Sequence, residues 1–87
     1  MRKNTDIYKI IGTNLRFFRK KSGLIQQELA EKCAVDRSKI SDMENGKEDF
    51  MFSTLLAIAD GLNLDVKNFF ILRKESNATV DKFPSEW

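Results

Sequence analysis

Between Arg37 and Asp42 the chain reads RSKISD, and five of those six side chains carry groups that can recognise a hydrogen-bonding edge. The guanidinium of Arg37 can bond two acceptors at once, which is what guanine offers in the major groove of a duplex. The Ser38 hydroxyl can donate or accept, and the Asp42 carboxylate can accept from an amino group such as cytosine N4. Asp42 also has a local use: a carboxylate facing a polyanion is repelled, and it could instead orient Arg37 or Lys39 on its own run. Both readings stand. Lys39, Asn45 and Lys47 carry donors suited to phosphate oxygens, contacts that position without specifying, and Ser41 shares the outward row.

These groups need a frame, and the neighbouring residues supply one. Ile40 and Met43 are three apart and face inward behind Arg37 and Ser38, with Asp36 as an N-cap residue ahead of them. Upstream, Gln26 to Cys33 places Leu29, Ala30 and Cys33 on one face of a shorter run, and Ala34-Val35 joins the two. Two short helices, a tight turn and an outward row rich in donors form the pattern of a helix-turn-helix.

From about Gly12 to Phe70 the sequence resembles the phage-repressor and Cro-like family, also called the Xre family. Gln26 opens the motif, Ala30 is the small residue where its helices cross, Ile40 is the core residue of the second helix, and Glu44-Asn45-Gly46-Lys47 matches the family's ending. Two positions depart from the pattern. Ile25 stands where Thr or Ser is common and cannot cap through its side chain; Ala34 stands where Gly is common and is strained at positive φ. Each departure costs on the order of 1 kcal/mol. The resemblance implies that Arg37, Ser38 and Asp42 read bases, while Gln26 touches a phosphate and braces the recognition helix. It also implies that Arg19 pairs, partly buried, with Glu44, tying the first helix to the end of the motif.

Eighty-seven residues make one small domain whose core is marginal without a partner. The net charge of +2 says little. Its distribution says more: residues 1–47 hold eleven Lys and Arg against six Asp and Glu, and residues 48–87 hold four against seven. The basic half contains the motif, which suits a polyanion. A single cysteine, Cys33, excludes an internal disulfide framework and reads as a small buried hydrophobe. There is no histidine, no Gly-rich phosphate loop and no nucleophile-base pairing, so neither an enzyme nor a cofactor is expected. No apolar run approaches the ~20 residues that span a bilayer, and no signal-peptide pattern opens the chain, so the expected location is cytoplasmic.

Taken in order, Asn4, Thr5 and Asp6 offer caps for a first helix that runs to about Ser22 and closes at Gly23. Ile7, Ile11, Leu15 and Phe18 form its stripe, with Ile10 and Phe17 on a second edge that something else must cover. Gly46 suggests a left-handed turn after Glu44. Ser53 is the expected cap of a fourth helix, with Leu55, Leu56, Ile58 and Ala59 toward the core. Asp65 then caps a short fifth helix, with Val66, Phe69 and Phe70 inward.

The expectation is therefore an all-α, five-helix, phage-repressor-like DNA-binding domain over 1–72, followed by a tail over 73–87. The tail is either disordered or covers the Ile10 and Phe17 edge through Val80, Phe83 and Trp87. A dimer reading a palindrome in double-stranded DNA is expected, because one helix offers too few base contacts to select a site. Leu64, Phe70, Ile71 and Leu72 are its expected interface. The resemblance points to repression or autoregulation, as in restriction-modification controllers or the antitoxin half of a toxin-antitoxin pair. A protein-interaction module of the same fold, bound to a partner such as a toxin, is the alternative.

Overall fold

The computed structural model describes residues 4–47 and 49–72, and among them all regular structure is helical. Four α-helices run from Asn4–Lys21 (α1), Gln26–Cys33 (α2), Arg37–Glu44 (α3) and Phe52–Gly61 (α4), followed by a 3-10 helix over Val66–Phe70. The expectations attached to 73–87 lie outside the described residues.

Each of the four α-helices ends the same way. Gly23, Ala34, Gly46 and Asn63 all have positive φ, and the next residue's amide reaches back to a carbonyl in the last turn: Leu24 to Arg19, Val35 to Ala30, Lys47 to Asp42 and Leu64 to Ala59. This ending satisfies carbonyls that the helix itself leaves open. It also aims the residue that follows. Leu24, Val35 and Leu64 turn back onto the core, whereas Lys47, after α3, is exposed. Ala34 adopts φ 58° and ψ 43°, the strained conformation expected of it.

The beginnings are less uniform. Ile25 precedes α2 without a side-chain cap, as expected, but its amide donates to Glu28 Oε1 at 2.9 Å, so the reciprocal half of a capping box forms alone. Asp36 occupies the N-cap position of α3 and accepts the Lys39 and Ile40 amides through its backbone carbonyl, with no bond from its side chain. The expected Ser53 cap is corrected: Met51 is the N-cap and α4 starts one residue before Ser53. Phe50 and Leu55 hold that start. They stand at the two positions of a hydrophobic staple and line one groove with Tyr8, whose ring meets Phe50 edge-on at 5.3 Å.

The core is built from Ile11 and Leu15 of α1, Leu29, Ala30 and Cys33 of α2, Ile40 and Met43 of α3, Leu55, Ile58 and Ala59 of α4, then Leu62 and Phe69. Two helix crossings depend on a missing side chain. A Cβ on Gly12 would overlap the carbonyl oxygens of Met43 and Glu44, so α1 crosses the end of α3 backbone to backbone. A Cβ on Gly61 would overlap Cys33 Sγ, where α4 meets α2. Burial there pushes the Cys33 thiol pKa up.

The fifth α-helix is also corrected. Five residues are too few to repay an α-helical nucleus, and the segment closes as a 3-10 turn, with Asn68 bonding Asp65 O and the Asp65 side chain accepting from the Lys67 amide. Three residues per turn put Val66 and Phe69 on one edge and rotate Phe70 outward, so Phe70 is 44% exposed instead of inward. Leu56 is likewise exposed, because Leu55, Ile58, Ala59 and Leu62 already form the buried stripe of α4. Ile7 lies at the exposed end of the α1 stripe.

Asn14 holds the last segment. Buried in the middle of α1, its Nδ2 donates to Phe69 O at 2.8 Å and to Ile71 O at 2.7 Å. Both carbonyls require a donor, which fixes the orientation of the amide.

Candidate nucleic-acid interface

A helix advances 100° per residue, so Arg37, Ser38, Ser41, Asp42 and Asn45 fall within an arc of about 140° on α3. Ile40 and Met43 lie on the opposite side and Glu44 at the edge of the arc, about 20° from Arg37, and all three are buried. Arg37, Ser38 and Asn45 are exposed, and Ser41 and Asp42 are half-buried. Lys39 lies on the flank, where its Nζ donates to the Asp49 carbonyl at 3.1 Å across the loop that follows. Asp42 stands 3.9 Å from Lys47 Nζ, a pairing made by the turn at Gly46 and different from the local partners Arg37 and Lys39 considered from sequence. With both side chains about half exposed or more, this pair contributes little to stability.

Beneath α3 lies a polar node centred on Glu44, whose side chain is fully buried. Arg19 grips it with two bonds, Nε to Oε2 at 2.6 Å and Nη2 to Oε1 at 3.0 Å, and a third from Nη1 to Leu24 O at 2.8 Å. Gln26 donates from Nε2 to Oε1 at 3.1 Å, and Arg16 approaches the same oxygen from Nε at 3.4 Å. One carboxylate thus joins α1, the start of α2 and the end of α3. Burial pushes the Glu44 pKa up, but the hydrogen bond from Arg19, then those from Gln26 and Arg16 and the guanidinium charge, outweigh it and hold the carboxyl below its ordinary value. Glu44 in turn raises the Arg19 pKa, chiefly through the same hydrogen bond and against the effect of burial.

The structure therefore brings Arg19, Gln26 and Glu44 together and leaves Arg37, Ser38 and Lys47 facing outward. Leu64 packs on the core, Ile71 is half-buried beside Asn14, and Phe70 and Leu72 remain exposed. Three contributors were not read from the sequence. Asn14 interrupts the apolar stripe between Ile11 and Phe18, and a polar residue at a core position signals a buried hydrogen bond. Arg16 precedes Arg19 by one turn and so shares its face. Glu28 follows Ile25 at the capping-box spacing. Among the described residues no group of His, Cys, Asp and Glu is arranged to hold a metal ion, and no helix is long and apolar enough to cross a membrane.

The chain is 37% identical over 62 residues to the competence pilus inhibition repressor of Acinetobacter baylyi, covering 71% of this chain and 56% of that one. It is 34% identical over 61 residues to the control protein C.SmaI of Serratia marcescens, covering 70% and 73%. The crystal structure of the hypothetical transcription factor NHTF from Neisseria superposes with a TM-score of 0.75 at 25% identity, covering 86% of each chain. The chain spans little more than half the length of the Acinetobacter repressor. The helix-turn-helix domain family matches residues 10–68, and the chain belongs to that family, in the phage-repressor and Cro-like kind that its sequence resembles.

Proposed function

We propose that this protein is a sequence-specific regulator of transcription that binds double-stranded DNA through α3 in the major groove and represses by occupying a promoter. The observation that carries this reading is the two-sided character of α3: an outward arc of Arg37, Ser38, Ser41, Asp42 and Asn45 backed by a buried arc locked to α1 and α2 through Glu44. A rigid support under exposed donors is what direct readout needs. Arg37, Ser38 and Asp42 read bases in this proposal; Gln26, Lys39, Ser41, Asn45 and Lys47 hold the backbone. The names of the Acinetobacter repressor and the Serratia control protein favour the same role.

Selection of bound sequences from a random duplex pool tests the proposal. Arg37→Ala should lose about 1 to 3 kcal/mol on the selected site and relax preference at one base pair. Lys47→Ala should weaken every sequence alike and make the salt slope shallower by about one. Equal losses on specific and random DNA for Arg37→Ala would remove it from the base-reading set.

A second copy completes the reading. Phe52, Leu56, Phe70 and Leu72 are exposed apolar residues on α4 and around the 3-10 helix, which packs against α1 and α4. A two-fold contact through this face would present two α3 helices to successive major grooves about 34 Å apart.

A further inference from the structure

We propose that Arg16 is a DNA-backbone contact, its guanidinium binding a phosphate oxygen beside Gln26 and Asn45 and setting the orientation of the Asn45 amide. The inference rests on the reading of α3 as a DNA-binding helix and adds a residue of α1 to that surface.

The charge balance of the Glu44 node carries it. A single carboxylate faces two guanidiniums and can neutralise one. Arg19 takes that share: it holds both carboxylate oxygens at 2.6 Å and 3.0 Å, and its side chain is 10% exposed. Arg16 touches one oxygen, at 3.4 Å, and its side chain is 47% exposed. The node therefore keeps one positive charge in surplus, and that charge sits on Arg16 at the solvent edge.

Its surroundings favour a phosphate. Arg16 Nη2 lies 3.4 Å from Asn45 Oδ1, at the end of α3. With the amide oxygen turned to Arg16, the two N–H donors of Asn45 point elsewhere and are open to an acceptor. Gln26 likewise gives one N–H of Nε2 to Glu44 and keeps a second. A guanidinium that has given one edge to Glu44 and Asn45 retains further N–H donors in a planar fork, the geometry that matches phosphate. Arg16 and Gln26 meet at the Glu44 carboxylate and Asn45 adjoins Arg16, so donors from α1, α2 and the end of α3 lie side by side around one node.

The test measures binding of the full chain to a random-sequence duplex across a series of salt concentrations, beside urea unfolding. Arg16→Gln should bind about tenfold more weakly at low salt, the loss of one charge-assisted hydrogen bond, and its log-log salt slope should be shallower by about 0.9. Its unfolding midpoint should stay near the wild-type value, because Arg19 still holds Glu44. Arg16→Lys keeps the charge and gives up the Nε contact with Glu44, so it should retain the wild-type slope. Equal loss of slope in the two variants would assign Arg16 to bracing and overturn the proposal, as would a wild-type slope in Arg16→Gln. If the wild-type chain itself ignored duplex DNA at low salt, the DNA-binding reading would fail first.

Discussion

Replacing Arg19 by Ala strands the carboxylate of Glu44 in a site where none of its side chain reaches water. Breaking a buried pair by removing one partner costs about 3 to 5 kcal/mol, because the remaining charge is left without its match. The structure argues for the lower end. Arg16 and Gln26 already lie within 3.4 Å and 3.1 Å of Glu44 Oε1 and can close on it when Arg19 is gone. About 3 kcal/mol is expected for Arg19→Ala, and a similar loss for Glu44→Ala, which leaves Arg19 with only Leu24 O as its partner in the node. The double variant strands neither charge, so it should cost about 3 to 4 kcal/mol instead of the 6 that the singles sum to, a coupling within the range seen for residues in contact. Urea unfolding followed by helical circular dichroism measures all three. With a slope of about 1 kcal/mol per molar urea for a chain of this size, each single replacement should lower the midpoint by about 3 M. Additivity within about 0.5 kcal/mol would refute the reasoning, and so would single losses below about 1 kcal/mol.

Three further outcomes are expected. Because Glu44 is held below its ordinary pKa in the folded chain, its contribution is complete above the unfolded value of about 4.3 and is lost as pH falls through the folded one; stability should drop from about pH 5 downward, and Glu44→Gln should flatten that part of the profile. Ala34→Gly should raise the melting temperature by about 4 to 8 °C by relieving about 1 kcal/mol of strain at φ 58°, and a lowered melting temperature would show that the turn is not the strained point. Leu72 is 58% exposed, so Leu72→Asp should leave helicity intact while weakening self-association and operator binding together; a wild-type chain that sediments as a monomer at micromolar concentration and protects a single half-site would sink the dimer.

The parts of the fold legible in the sequence were those whose signal is local. Gly23, Gly46 and Asp65 mark helix ends through backbone conformation or capping, and the spacings of Leu29 with Cys33 and of Ile40 with Met43 are each periodicity within one short run. Failure came where the outcome depends on a neighbour. Phe69 and Phe70 are equally apolar, and only the choice of a 3-10 turn decides which one is buried. Ser53 is a better cap than Met51 by chemistry alone, but the anchoring of Phe50 against Tyr8 moves the helix start. At the candidate interface, spacing and side-chain chemistry supplied the outward face of α3, the resemblance supplied Gln26, and the geometry brought to the Glu44 node Arg16, which belongs to a different helix and has no sequence neighbour in the motif.

Asn14 anchors the end of the described chain by bonding two main-chain carbonyls, those of Phe69 and Ile71. Every amino acid offers the same carbonyl, so the anchor is indifferent to which side chains stand at 70 and 72. Substitutions there can remodel the exposed surface while the segment stays attached at the same place. If the proposed two-fold contact forms on this surface, divergent copies of such a gene could drift apart in whom they pair with and keep one architecture, since side chains would set the pairing while the backbone sets the attachment.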